Sequence, residues 1–479
     1  MRKYMTLILI ACAGLCGMMG MNIYNRAAIP QIKQQISAND QDMSLSLALF
    51  IIVQGTTPLL WSAIGEIKGR KYVYLTSLAL FTIGCAAAAT AKNVGVLISM
   101  RVLQALGGSA VLSASGAATL ADIWDPKERG TKLGIYYSVP LVAPALGPIL
   151  GGILTSAFSW RATFYFQVAM GSITWVAFLL LFKDTYRRER STTYQTAVRR
   201  ARIAAAAKRR LEAHEMKAVD TQNNPNTTAK EVSNRGNATP VVSTDDVKLT
   251  LADVNPFLPL IQVLRRKNNI SIVILSSLMF GLSYSISYTA VRTLSVSPYH
   301  YDSLRVGFVL LSFGIGNIVG SIISGRYSDH KLAKRKASGS PSMLRFVRLE
   351  STKIFMLCLT PSVASYAWFA EKHLHIAAIC VSLFAVGFTS IWVYTNTLAY
   401  LVDANVGRSS MAVATNSFFR GLTGFASAEV AVPIQNGIGD AGLYMIWAGL
   451  VVFTGLSLLL VEKKGTKWRE EAEQDEQST

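Results

Sequence analysis

Apolar stretches of roughly 20 residues recur along the chain, at 6–29, 43–64, 72–91, 94–121, 132–155, 162–182, 270–291, 304–324, 352–370, 376–400, 409–434 and 441–461. Several, such as Tyr72–Ala91, Thr163–Phe182 and Gly442–Val461, contain no charged residue. About 20 apolar residues is the length a helix needs to cross about 30 Å of hydrocarbon. One such stretch suits a buried helix of a soluble protein, but a dozen in succession does not. The pattern therefore predicts an all-α integral membrane protein of about twelve transmembrane helices. Six precede a long polar segment, Lys183–Lys267, and six follow it. The expected organisation is a six-helix bundle over 1–183, a central loop over 184–267, a second six-helix bundle over 268–462 and a tail over 463–479.

Composition agrees. Only 16% of residues are charged and 51% are hydrophobic, whereas about a quarter of a soluble chain is charged. The net charge of +19 is sorted rather than spread: roughly 38 of the 47 Lys and Arg fall on one side if both termini lie inside. Cytoplasmic loops carry such an excess, so the termini and the central loop are expected in the cytoplasm of a multi-pass plasma-membrane protein. Charge arranged this way calls for no nucleic-acid partner. The five cysteines fall in apolar stretches without metal-ligand spacing, which points to packing. The five histidines lie in or beside loops, and His373 and His375 suit a wet loop better than a metal site. The first apolar stretch is long for a signal peptide, and removing it would leave five spans against six, so it is read as a retained helix.

Within the central loop, Ala197–Ala218 sets Arg199, Arg200, Arg202, Lys208, Arg209 and Arg210 among alanines, a pattern for a basic helix lying on an anionic leaflet. The segment from Asp220 to Asp246 reads as disordered linker. Asn226 and Asn237 head glycosylation sequons that this topology leaves unmodified.

The two halves echo each other after their second helices. Ser62-Ala63-Ile64-Gly65-Glu66-Ile67-Lys68-Gly69-Arg70-Lys71 and Ser324-Gly325-Arg326-Tyr327-Ser328-Asp329-His330-Lys331 each combine small residues, one acid and clustered bases in what reads as a tight inner loop. Arg101-Val102-Leu103-Gln104 places an arginine inside the fourth stretch, where charge is costly unless it meets water, ligand or partners; snorkelling to the nearby end is the alternative. Pro140, Pro144, Gly147, Pro148, Gly151 and Gly152 crowd the fifth stretch, where small residues admit a neighbouring helix and prolines permit bending.

These segments resemble signatures of the major facilitator superfamily. The first loop is similar to that family's Gly-x-Leu-Ala-Asp-Arg-x-Gly-Arg-Lys, with Glu66 for the acid; Arg101 and Gln104 match its fourth-helix signature, and Pro144–Gly152 its antiporter signature. Pro58 before Trp61, Trp160-Arg161 with Phe164, and Asn255-Pro256-Phe257 resemble fungal drug:proton antiporters of the branch that exports polyamines, quinidine and organic acids. The resemblance implies two bundles around a central cavity open alternately to each side, a midplane substrate site, and Glu66, Gly69, Arg70, Lys71, Gly325, Arg326 and Asp329 as gating elements.

No nucleotide-binding loop, nucleophilic triad or metal box is evident, so neither an enzyme nor a cofactor is expected, and an ion gradient would supply the energy. The expected function is multidrug efflux, proton-coupled export of drugs or amphipathic metabolites by a monomer, with protons and the lipid bilayer as partners. Candidate substrate and coupling residues are Asn22, Arg101, Gln104, Arg292, Asn396, Arg420 and Glu429, with Tyr284, Tyr288, Trp392 and Tyr394 as aromatic candidates. Three arginines against one acid would suit a di- or tricarboxylate, which is the alternative; a transporter-like sensor or scaffold is a third reading. If the topology is right, a cysteine replacing Asp220 should resist impermeant thiol reagents in intact cells and react once the membrane is opened.

Overall fold

A computed structural model describes residues 2–23, 29–110, 116–185, 257–337, 347–405 and 409–478, together with seven residues between 198 and 207. The sequons at Asn226 and Asn237, the linker over 220–246 and most of the 197–218 basic stretch lie outside the described residues. The described residues among 187–255 are helical, and the rest of the helices form one compact unit from 1–186 and 256–479.

The elements in chain order are α1 Arg2–Asn22, α2 Ile29–Ile36, α3 Asp40–Thr56, α4 Pro58–Lys68, α5 Arg70–Ala89, α6 Val94–Ala110, α7 Gly116–Ile123, α8 Pro126–Ser138 and α9 Ala143–Ala157. They continue with α10 Trp160–Leu181, α11 Phe257–Arg265, α12 Lys267–Ser295, α13 Ser303–Ala337, α14 Val347–Glu371, α15 Ile376–Ala404 and α16 Ser409–Ser478. Nine helical runs among the described residues are long and apolar enough to cross a membrane. The last of these covers 53 residues and breaks at Gly439, whose φ of 73° is left-handed, so it supplies two crossings. The shorter apolar helices Val94–Ala110 and Leu146–Ala157 complete twelve.

The crossings are less regular than the apolar pattern suggests. The second is a tandem of α3 and α4, divided where Pro58 withholds an N–H; α3 itself starts on a capping box in which Asn39 and Asp42 exchange side-chain-to-backbone bonds of 2.7 and 3.0 Å. The fifth is α8, one 3₁₀ turn over Pro140–Val142, and α9, because Pro140 and Pro144 interrupt the ladder. The first crossing stops at Asn22 rather than at 29, and α2 follows separately. Ser324–Lys331, read from sequence as a loop, is a correction: it lies within α13, which stays helical to Ala337. Hydropathy marks where hydrocarbon ends, whereas backbone hydrogen bonding carries a helix on into water. In the same way the tail is helical to Ser478.

Polarity is inverted relative to a soluble fold. Ile173, Leu180, Leu357, Val381 and Phe453 face outward, more than two-thirds exposed in most cases, while Arg101, Gln104, Gln167 and Asn396 are buried. Lipid satisfies the former, and inter-helix hydrogen bonds must satisfy the latter. Glycines set the closest crossings. A Cβ on Gly55 of α3 would stand 2.4 Å from the Cα of Gly421 on α16, and one on Gly107 of α6 would stand 2.3 Å from the Phe81 nitrogen on α5. Such contacts let helices meet backbone to backbone, a main source of attraction where no hydrophobic effect acts between them.

Gly421→Val should therefore cost about 1–3 kcal/mol through overpacking and lower the melting temperature of the purified protein. Gly152→Ala, in the interior of α9 where an added Cβ meets nothing within 4 Å, should hold or raise it, since Ala is favoured over Gly in a helix.

Candidate functional site

A central pocket is lined by Met18, Met21 and Asn22 of α1, Leu47 of α3, Pro144 of α9, Met279, Phe280, Ser283, Tyr284, Ser287 and Tyr288 of α12, Phe313 and Asn317 of α13, Ser390, Ile391 and Tyr394 of α15, and Arg420 of α16. Both halves of the chain contribute to it. Its lining is mostly apolar, with hydroxyls and two amides interspersed. Arg420 is the one charged residue among the described lining residues.

Arg420 is held firmly. Its Nη1 donates to the Tyr394 hydroxyl at 2.6 Å, and its guanidinium lies 4.1 Å from the Phe280 ring centroid and 4.8 Å from that of Tyr394. Cation–π contacts of this kind are worth about 2 kcal/mol or more when desolvated. No carboxylate among the described residues pairs with it, and its buried Nε has no hydrogen-bond partner there. Phe280, Tyr284 and Tyr288 follow one another at the i, i+4 spacing that puts side chains on one helix face. Their ring centroids are 4.6 and 6.4 Å apart, and the Tyr284 hydroxyl reaches Met21 Sδ at 2.7 Å.

The other candidates from sequence are dispersed. Asn22 lines the pocket and donates to the Met18 carbonyl at 2.8 Å. Arg101 is wholly buried outside it, donating to the Gly20 carbonyl and to Gln104 and lying 4.3 Å from the Phe50 centroid. Gln104 continues this network to Gln167 and to Cys85 Sγ. Asn396 ties three helices together through Ser324, Ser351 and the Trp392 carbonyl, at 3.1, 3.3 and 3.1 Å. Arg292 is half-buried near the end of α12 and Glu429 is exposed, accepting from Ser44 at 3.3 Å; neither lines the pocket. Trp392 stacks on Phe355 at 3.8 Å, also outside it.

On the fifth crossing, Pro144 lines the pocket. Added Cβ atoms would meet Asn22 at 2.6 Å from Gly147 and the Ile23 carbonyl at 2.4 Å from Gly151, so α9 abuts the end of α1. Pro148 sits inside α9, and Gly152 faces open space.

The loop signatures meet at one end of the bundle, here called the basic end. Gly69 turns from α4 to α5 with φ 88°, a conformation that suits glycine. Glu66 is buried on the last turn of α4. Arg70 lies 3.6 Å from Asp122 and donates to Ser410 Oγ at 3.2 Å, while Lys71 donates to the Leu179 carbonyl at 3.1 Å. Asp329 accepts from the backbone N–H groups of Gly130 and Thr131 on α8, at 3.0 and 2.6 Å. A Cβ on Gly325 would strike the Gly130 carbonyl at 2.6 Å, and Arg326 points outward.

Sequence reading did not single out the three residues that complete this end. Arg348 of α14 donates to Asp329 at 3.3 Å and to Asp403 of α15 at 2.7 Å, and Asp403 also receives Arg129 of α8. Arg348 is wholly buried. The available signal was weak: charged residues at the ends of apolar stretches, in segments far apart in sequence. The pocket residues Asn317, Ser283 and Ser287 were equally inconspicuous, since short polar residues are common inside membrane helices.

The family model described as Major Facilitator Superfamily matches residues 10–428. The MFS antiporter QDR3 of Candida albicans is 25% identical, the match covering 98% of this chain and 78% of that protein. Citrate exporter 1 of Aspergillus niger is 23% identical over 98% of this chain and 87% of its own length. The Multidrug transporter DTR1 of Candida glabrata is 25% identical over 96% and 84%. Among solved structures, the human organic anion transporter MFSD10 (TETRAN) superposes with a TM-score of 0.62 at 15% identity, covering 95% of this chain and 99% of that one, a likeness of fold.

Asp403 neutralises two buried arginines, so Asp403→Asn should weaken the join between α8 and α14–α15 by about 3–5 kcal/mol. A cysteine at Thr131 should then be labelled faster from the basic end. Neutralising the exposed Asp302, beside Arg305 at 3.7 Å, should change nothing measurable.

Proposed function

The chain belongs to the Major Facilitator Superfamily, and from that premise we propose that it exports small amphipathic organic molecules in exchange for protons. The observation that carries this reading is the central pocket, built from α1, α3, α9, α12, α13, α15 and α16, with the polar join at the basic end lying to one side of it. With the basic end in the cytoplasm, as the Lys and Arg distribution supports, the described state is shut toward the cytoplasm. Releasing Asp329 from α8 and Asp403 from Arg129 would open that side, and rocking the halves would expose the pocket alternately. The MFS antiporter QDR3 among the relatives supports exchange, and Citrate exporter 1 supports the export direction.

A specific observation favours an organic acid over a base. The pocket lining has one cation and no carboxylate among the described residues, so a cationic drug would meet Arg420 without a counter-charge. At 4 Å the repulsion amounts to about 4 kcal/mol for an effective dielectric of 20. Citrate exporter 1 among the relatives is consistent with an acidic substrate.

Export from cells loaded with labelled organic acids and cations, with surface protein measured in parallel, tests this. Acids should leave faster than from cells lacking the protein, and collapsing the proton gradient should abolish the difference. Arg420→Ala should reduce acid export per surface molecule at least tenfold, and Arg420→Lys should retain part of it. Undiminished acid export by well-expressed Arg420→Ala would remove Arg420 from the site.

A further inference from the structure

We infer that the pocket selects a monocarboxylate with a flat apolar body, gripped at Arg420 and laid along the Phe280–Tyr284–Tyr288 face. This rests on the proposed export of organic acids and narrows it to one charge and one shape.

Charge comes first. The sequence offers three arginines for an anion, but Arg101 and Arg292 are absent from the described lining, and Arg101 is committed to the Gly20 carbonyl and Gln104. One guanidinium remains. It can neutralise one carboxylate, whereas the second and third charges of a citrate-like ion would meet only neutral hydroxyls and amides among the described lining residues, with no further cation to offset their desolvation. A polyanion is therefore the poorer fit.

The state of Arg420 points to an acceptor. It is 9% exposed, its Nη1 is used by Tyr394, and aromatic rings cover its flat surface. Its Nε is buried without a partner among the described residues. Arg420 nonetheless lines the pocket with no carboxylate among the described lining residues, and a buried cation without a counter-charge favours an anionic occupant. Tyr394 limits the guanidinium's freedom to swing away, which pre-pays part of the ordering cost of binding.

Shape follows from α12. Phe280, against which Arg420 rests, begins a row that continues through Tyr284 to Tyr288. Eight residues of helix rise about 12 Å, enough for a fused two-ring body with its carboxylate at the Arg420 end. Stacking on such rings adds about 0.5–1.5 kcal/mol per pair beyond burial. The Met18, Met21 and Met279 side chains, which also line the pocket, adapt to varied outlines.

The test uses the purified full-length chain in lipid nanodiscs, with binding of naphthoate, naphthamide, citrate and quinidine measured by calorimetry. Naphthoate should bind at least tenfold tighter than naphthamide, which has its shape without its charge, and citrate should bind least. Tyr284→Ala should weaken naphthoate and naphthamide alike, and Arg420→Gln should remove the preference between them. Because the ligand comparison is made on the unaltered protein, a variant that fails to fold does not blunt it. Citrate binding as tightly as naphthoate would overturn the single-charge inference and leave organic-acid export standing. Naphthamide equal to naphthoate would remove Arg420 from recognition. Quinidine bound in preference to both acids would overturn the acid reading itself.

Discussion

A guanidinium buried among membrane helices costs several kcal/mol unless acceptors meet it, and a lipid tail cannot serve in their place. Much of this structure is arranged by that constraint. Arg101 is met by a backbone carbonyl and a glutamine inside the first half. Arg348 is met by two carboxylates, Asp329 and Asp403, and through them by a third helix and by Arg129. Among the described residues, Arg420 is met by a phenol and two aromatic faces. The first arrangement fixes a fold, the second joins the halves, and the third leaves a demand that a ligand can meet.

The second and third arrangements share a helix. Ser390, Ile391 and Tyr394 of α15 line the pocket, and Asp403 lies nine residues beyond Tyr394 on the same helix, about 14 Å along its axis. Asn396, between them, binds α15 to Ser324 of α13 and Ser351 of α14. The Phe355 and Trp392 rings stack across α14 and α15. This part of the second half is therefore cross-braced between the pocket and the join at Asp403. Bistable joins between packed bodies convert small shifts into large ones.

How much could be read from residues alone depended on how local the determinant was. The twelve crossings follow from apolar run length, a local property, and all of them are present. Their breaks at Thr57–Pro58 and Pro140 were also written locally, in prolines. Gly69 needed no partner to reveal itself, because its left-handed φ is a property of one residue. Pairings across the bundle were not legible: that Asp329 would cap N–H groups of α8, or that Asp403 would serve two arginines, depends on which helix ends meet. The same limit applied to the cavity. An arginine, an asparagine and three tyrosines could be picked out by type and stand at the pocket, while Arg101, Arg292, Asn396 and Glu429, selected on the same reasoning, stand elsewhere. Depth along a helix is readable, but azimuth within a bundle is set by tertiary packing.

That distinction bears on what a relative's substrate can say about this chain. At 23–25% identity the helices, the glycine crossings and the joins at their ends need only residue size and hydrogen-bonding class to persist, and many sequences satisfy them. The net charge of the pocket, in contrast, turns on very few positions: removing Arg420 or introducing one carboxylate opposite it would cancel the positive charge of the lining, and doing both would invert it. A scaffold with such an uneven division between many permissive positions and few pocket charges can host a multidrug transporter and a citrate exporter alike. The chemistry of the transported molecule must therefore be argued from the balance of charge that faces the lumen, where this chain presents one guanidinium among the described residues and no acid to answer it.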